Sequence, residues 1–155
     1  MELQGSHTAS GYRFAIVASR FNEEITEGLL EGARRALAEA AVRDEDIVVV
    51  RVPGAFEIPV AALRAATSGR FDAVICIGCL IKGDTMHFEF IAQAACTGIA
   101  AASTSSGVPM ALGVITTLTE EQAHERAAAG PGNKGGEAAR AAVEMATLLR
   151  QFPKA

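Results

Sequence analysis

Hydrophobic positions along this chain switch between two periods, and the switch repeats four times. Residues 12–19 (YRFAIVAS), 46–52 (DIVVVRV), 73–79 (AVICIGC) and 110–116 (MALGVIT) are β-branched or apolar runs of strand length. Each precedes a helical pattern, over 23–41, 57–67, 86–106 and 120–129, and a final helix is predicted over 133–151. Asn22, Asp84 or Thr85, and Thr119 stand where N-caps belong. No hairpin signal joins two strands. The pattern therefore predicts an α/β fold of three layers, α/β/α, with a four-stranded parallel sheet and flavodoxin-like winding, since crossovers between parallel strands are right-handed. Residues 1–11 read as a flexible segment or as an edge strand offered to a neighbour, and 12–155 as a single domain.

In such a sheet, ligands bind outside the carboxyl ends of the strands. Four motifs fall there: Arg20-Phe21-Asn22, Pro53-Gly54-Ala55-Phe56-Glu57, Lys82-Gly83-Asp84-Thr85-Met86-His87 and Gly113-Val114-Ile115-Thr116-Thr117. Familiar nucleotide sites do not fit them. The stretch 78–85 has P-loop spacing, but Asp84 stands where the phosphate-binding lysine belongs. The turn after the first strand has no glycines for a dinucleotide fingerprint, and the third strand ends in Gly78-Cys79 where a receiver domain needs an aspartate.

Composition narrows the partners. With 14 Lys and Arg against 18 Asp and Glu, the net charge is −4, so no basic field attracts nucleic acid or an anionic membrane. Any phosphate has to be held by a few local donors. The first ten residues lack the pattern of a signal peptide, no apolar run approaches a membrane span, and a cytoplasmic protein is expected. Cys76 and Cys79 have metal-pair spacing, but three residues apart on a strand their side chains face opposite ways; with Cys96 they read as small buried hydrophobes. Half the residues are apolar and the mean hydropathy is +0.24, so part of the surface is expected to lie between subunits.

The third motif is the richest. Helix-opening amides after Gly83 and the positive end of the helix dipole make an anion site, though Gly-Asp-Thr also reads as a plain helix start. His87 follows one turn in, and an imidazole there can take and give a proton near neutral pH, or merely face solvent. Phe21 and Phe56 are each a core plug or a stacking platform for a flat ring, and Glu57 adds a hydrogen-bond acceptor beside them. Arg126 reads equally as a surface partner of Glu120 or Glu121.

The order of the motifs carries more than any one of them. RFN-x2-IT in 20–26, VPGAFEIP in 52–59, GCLIKGDTMHFEF in 78–90, GVPMALGVITT in 107–117, EQAHERA in 121–127 and GNKG in 132–135 together resemble the lumazine synthases, from about Tyr12 to Arg150. The resemblance implies condensation of 5-amino-6-(D-ribitylamino)uracil with 3,4-dihydroxy-2-butanone 4-phosphate to 6,7-dimethyl-8-ribityllumazine, releasing phosphate and water, the penultimate step of riboflavin biosynthesis. It implies that Phe21, beside Asn22, stacks on the pyrimidine, and that Ala55, Phe56, Glu57, Leu80 and Ile81 hold the ring edge and ribityl chain. Gly83, Asp84 and Thr85 would bind phosphate next to Lys82, with Arg126 as a clamp from the next subunit. His87 would shuttle protons, with Lys134 and Glu137 near it. Leu112 departs from a position that is often aromatic in the family, and Lys82 from the commoner arginine, which puts one wall of the ring pocket in question.

No cofactor or metal is implied. Family members assemble from pentamers, and the short 128–134 connection resembles that of relatives forming 60-subunit shells, so a shell is expected, with riboflavin synthase as a candidate partner. The alternatives are a non-catalytic flavin or lumazine binder and a paralogue whose task is shell formation. Retention of His87, Arg126, Lys134 and Glu137 together argues for catalysis.

Overall fold

Strands β1 (Phe14–Ser19) and β3 (Ala73–Ile81) form the middle of the sheet, and their near-continuous apolar character follows from being covered on both faces. They are flanked by β2 (Ile47–Val52) and β4 (Met110–Thr117), all parallel, in the order β2-β1-β3-β4. Phe14 pairs with both Ile47 and Ala73, and Val74 with Met110. The computed structural model describes residues 1–153.

Side chains alternate across this sheet and sort the core into two layers. Phe14, Ile16 and Ala18 of β1, with Ile75, Ile77 and Cys79 of β3, pack beneath α1 (Glu23–Glu39), α4 (Glu120–Ala127) and α5 (Lys134–Leu149). Ala15, Val17, Val74, Cys76 and Leu80 pack beneath α2 (Ile58–Thr67) and α3 (His87–Ser106). The three-layer architecture is as the sequence predicts, and the element ends agree to within two residues. Cys76 and Cys79 do face opposite layers, and burial pushes their thiols up to about 12 and about 11.

Of the expected caps, only that of α4 forms through its side chain. Thr119 caps α4, its hydroxyl accepting the Gln122 N–H at 3.2 Å. Asn22 stands at the N-cap position of α1, its carbonyl accepting from the Ile25 and Thr26 N–H groups at 3.0 Å, but its side chain caps nothing. It adopts a left-handed conformation (φ 58°) and its amide donates to the Cys79 carbonyl at 2.9 Å, which ties the loop after β1 to the end of β3. Neither Asp84 nor Thr85 caps α3, which opens after Met86 without a side-chain cap. Residues 4–9 run along α1 and α5: the Ser6 N–H donates to Thr147 Oγ1 at 2.7 Å and the Ala9 N–H to the Ala40 carbonyl at 2.9 Å. Among the described residues no helix is long and apolar enough to cross a membrane.

One buried polar group is left over. Ser19, at the carboxyl end of β1, is 1% exposed, and its hydroxyl has no hydrogen-bond partner among the described residues. An unsatisfied hydroxyl in an apolar layer costs about 1–3 kcal/mol. Ser19→Ala is therefore expected to raise stability by about 1 kcal/mol, read as a higher urea midpoint at unchanged slope. A lower midpoint would show that the hydroxyl is bonded in solution.

Candidate active site

The strand order reverses between β1 and β3, which opens a crevice at their carboxyl ends. The loop after β1 is pinned there on both sides. The Arg20 and Phe21 N–H groups donate to the carbonyls of Val52 (2.9 Å) and Pro53 (3.2 Å), while the Asn22 amide holds β3. Phe21 is thereby set against the 53–57 turn. Phe21 and Phe56 are 66% and 61% exposed, so neither is a core plug, and both rings border one cleft of about 580 Å³.

That cleft gathers most of the sequence-predicted set: Phe21, Ala55, Phe56, Glu57, Leu80, Ile81, Gly83, Thr85 and His87 all line it. Its far wall is Phe88 and Ile91 of α3, which the sequence reading missed; Ile91 lies four residues on from His87 and three from Phe88, the helical spacings that carry the signal. Among the described residues the N–H groups of Gly83, Asp84 and Thr85 have no protein acceptor, which leaves them free for a ligand. The His87 N–H reaches Thr85 Oγ1 only at 3.5 Å. Three predicted residues lie outside the lining. Asn22 is committed to its clamp, Lys82 extends to Glu89 (3.7 Å), and Asp84 is exposed to solvent.

The remaining predicted residues are elsewhere. Leu112, Arg126, Lys134 and Glu137 line a second cleft of about 320 Å³, bounded by the β4 edge and α5. The Arg126 guanidinium donates to the Gln122 carbonyl at 3.0 Å, and no carboxylate lies within ion-pair distance of it among the described residues; the pairing with Glu120 or Glu121 does not form. Lys134 Nζ bonds Glu137 Oε2 at 2.8 Å, and this bond holds the Glu137 carboxyl below its ordinary range. Leu112, 53% exposed, offers this cleft an apolar wall. The two clefts share no residue. A further groove of about 460 Å³ along α1 contains none of the predicted residues. Among the described residues no group of three His, Cys, Asp or Glu side chains is placed to hold a metal ion.

Two comparisons bear on this arrangement. A protein family described as 6,7-dimethyl-8-ribityllumazine synthase matches residues 11–150. The chain belongs to that family. Among relatives of the same name, one from Syntrophus aciditrophicus (strain SB) is 51% identical over 149 residues, covering 96% of this chain and 97% of its own. Another, from Desulfatibacillum aliphaticivorans, is 47% identical over 150 residues, covering 97% of each.

In this lumazine synthase family member, the second cleft hangs on one buried side chain. Asn133, 3% exposed, accepts the Gly136 N–H at 3.0 Å and so caps α5. Its amide donates to the carbonyls of Ala127 (2.9 Å) and Gly28 (3.1 Å), with that of Ala128 at 3.2 Å. Close approach makes room for it: a Cβ on Gly32 would meet Asn133 Oδ1 at 2.0 Å, and one on Gly135 would meet the Leu29 carbonyl at 1.8 Å. Lys134 and Glu137 stand directly on this capped turn. Asn133→Ala would strand several buried carbonyls and the cap, and is expected to cost about 2–4 kcal/mol in urea unfolding. Wild-type stability in that variant would mean that water replaces the amide.

Proposed function

We propose that the chain condenses 5-amino-6-(D-ribitylamino)uracil with 3,4-dihydroxy-2-butanone 4-phosphate to 6,7-dimethyl-8-ribityllumazine, releasing phosphate and water in riboflavin biosynthesis. Membership of the family, over 11–150, carries this reading and makes the chain a transferase. Mixing both substrates with the pure protein and following lumazine absorbance and fluorescence tests it. A protein that binds lumazine without forming it would favour the non-catalytic alternative.

The chemistry of the first cleft supports the residue roles that the family resemblance implies. Phe21 and Phe56 offer faces to the pyrimidine, and the Glu57 carboxylate accepts hydrogen bonds from the ribityl hydroxyls. The free amides of 83–85, at the N-terminal end of α3, hold the phosphate. An amine condenses with the ketone of the second substrate to give an imine and water, and the neighbouring hydroxyl-bearing carbon loses a proton as phosphate leaves the carbon beyond it. The resulting enol tautomerises to a new ketone, and the second amine condenses with that ketone, losing water, to close the ring. His87 takes and returns protons in these steps, and holding two substrates together supplies much of the rate. The group needs no cofactor in this scheme. A cytoplasmic setting belongs to the same reading, supported by three cysteines that are all free thiols.

Arg126, Lys134 and Glu137 enter the reaction from a neighbouring subunit. Support comes from the separation of the two clefts: the charged set lies under the α4–α5 layer and His87 under the α2–α3 layer of the same sheet, so one chain's cleft lacks the guanidinium clamp. A planar guanidinium suits a phosphate bidentately. Pentamers, and a 60-subunit shell built from them on the short 128–134 connection, are the assembly we propose, with riboflavin synthase as a candidate guest.

Two outcomes check these roles. Arg126→Ala should lose about 2–4 kcal/mol of transition-state stabilisation with folding intact, and His87→Ala should slow turnover by roughly tenfold to a hundredfold, since imine formation has an unassisted path. Full activity in either variant removes that residue from the mechanism. Co-assembling the two impaired variants in equal amounts should restore about a quarter of wild-type activity, above the residual rate of either alone, because random neighbours recreate intact shared sites. No recovery in particles shown to contain both variants, by capture on an affinity tag carried by only one of them, would place the whole site within one subunit.

A further inference from the structure

The glycine of the 53–57 turn has no conformational reason to be a glycine. Gly54 adopts φ −144° and ψ 179°, extended backbone open to any residue. A Cβ built on it meets one atom within 4 Å, the Glu57 carboxylate oxygen Oε2, at 3.3 Å. That contact is tighter than relaxed van der Waals packing, so one partner has to give. The backbone is held on both sides. The Phe21 N–H is bonded to the Pro53 carbonyl immediately before Gly54, and the Glu57 N–H returns to the Gly54 carbonyl at 3.2 Å, closing the turn. What remains free to move is the Glu57 carboxylate.

Gly54, Glu57, Phe21 and Phe56 all border the first cleft. We infer that Gly54 is a positioning residue: its missing side chain leaves the Glu57 carboxylate seated low against the turn, where it meets the hydroxyl donors of a polyol chain attached to a flat ring lying against Phe21 and Phe56. This rests on the roles proposed for Glu57 and the first cleft. A methyl group at position 54 lifts the carboxylate away from those hydroxyls. The fold has no stake in the position, because nothing else comes near the added Cβ.

The test is a double-mutant cycle of Gly54→Ala and Glu57→Ala. Gly54→Ala should fold with a melting temperature no lower than the wild type, and should raise KM for the ribitylaminouracil about threefold to tenfold, the share of one displaced hydrogen bond. KM for the butanone phosphate and kcat should stay within about twofold, and so should binding of a uracil analogue without a ribityl chain. In the Glu57→Ala background the same change should have no further effect, because the group it displaces is gone. An inactive wild-type protein would refute the proposed reaction itself. With an active wild type, an unchanged ribitylaminouracil KM, an effect that persists beside Glu57→Ala, or a Gly54→Ala protein that fails to fold would each overturn the positioning role.

Discussion

A side chain cannot cross a β-sheet, and that constraint governs how this protein distributes its chemistry. The sheet is covered on both faces, so its polar groups are driven to the loops at the carboxyl edge and to the helix ends that follow them. The imidazole and the free amides follow β3 into the layer of α2 and α3. The arginine, lysine and glutamate follow β4 into the layer of α4 and α5. Each half is well formed by itself, and the same burial that stabilises the fold keeps the two apart within one chain.

Two asparagines fasten those halves, and both do so by holding backbone rather than ligand. Asn22 bonds the buried carboxyl-terminal part of β3 to the loop that carries Phe21. Asn133 caps α5 and gathers carbonyls from α1 and the end of α4. An amide suits both places because it donates to carbonyl oxygens, and at Asn133 it also accepts, whereas an aspartate would set a charge against those oxygens. The glycines of α1 and α5 belong to the same device: without them the helices could not approach closely enough for one side chain to reach three segments.

The layer order and nearly all element limits were legible because the apolar runs of β1 and β3 and the helical periods of α1 and α5 have no competing reading. The cleft around Phe21, Phe56 and His87 was legible from position alone, since strand ends of a parallel sheet converge. Other features resisted. Asn22 has the residue type of an N-cap, and only its left-handed backbone reveals that its amide turns toward β3. Lys82 and Asp84 sit within a motif whose neighbours line the cleft, yet side-chain direction in a short loop leaves no trace in spacing. Asn133 was visible as one letter of GNKG, but its burial depends on α1, a hundred residues earlier in the chain, and no local pattern reports such a contact.

Cys79 stands at the meeting of these themes. Its carbonyl anchors the loop that carries Phe21, while its sulfur is turned to the opposite layer and held in the thiol form by burial. With the thiol raised to about 11, roughly one molecule in ten thousand carries a thiolate at neutral pH, and Cys76 carries fewer still. Peroxide and disulfide reagents attack the thiolate, so the two sulfurs of the central strand are protected from oxidation by the hydrocarbon around them. The protein can thus keep cysteine in its central strand, as a compact filler, without exposing the loop that Cys79 anchors to oxidation of that strand.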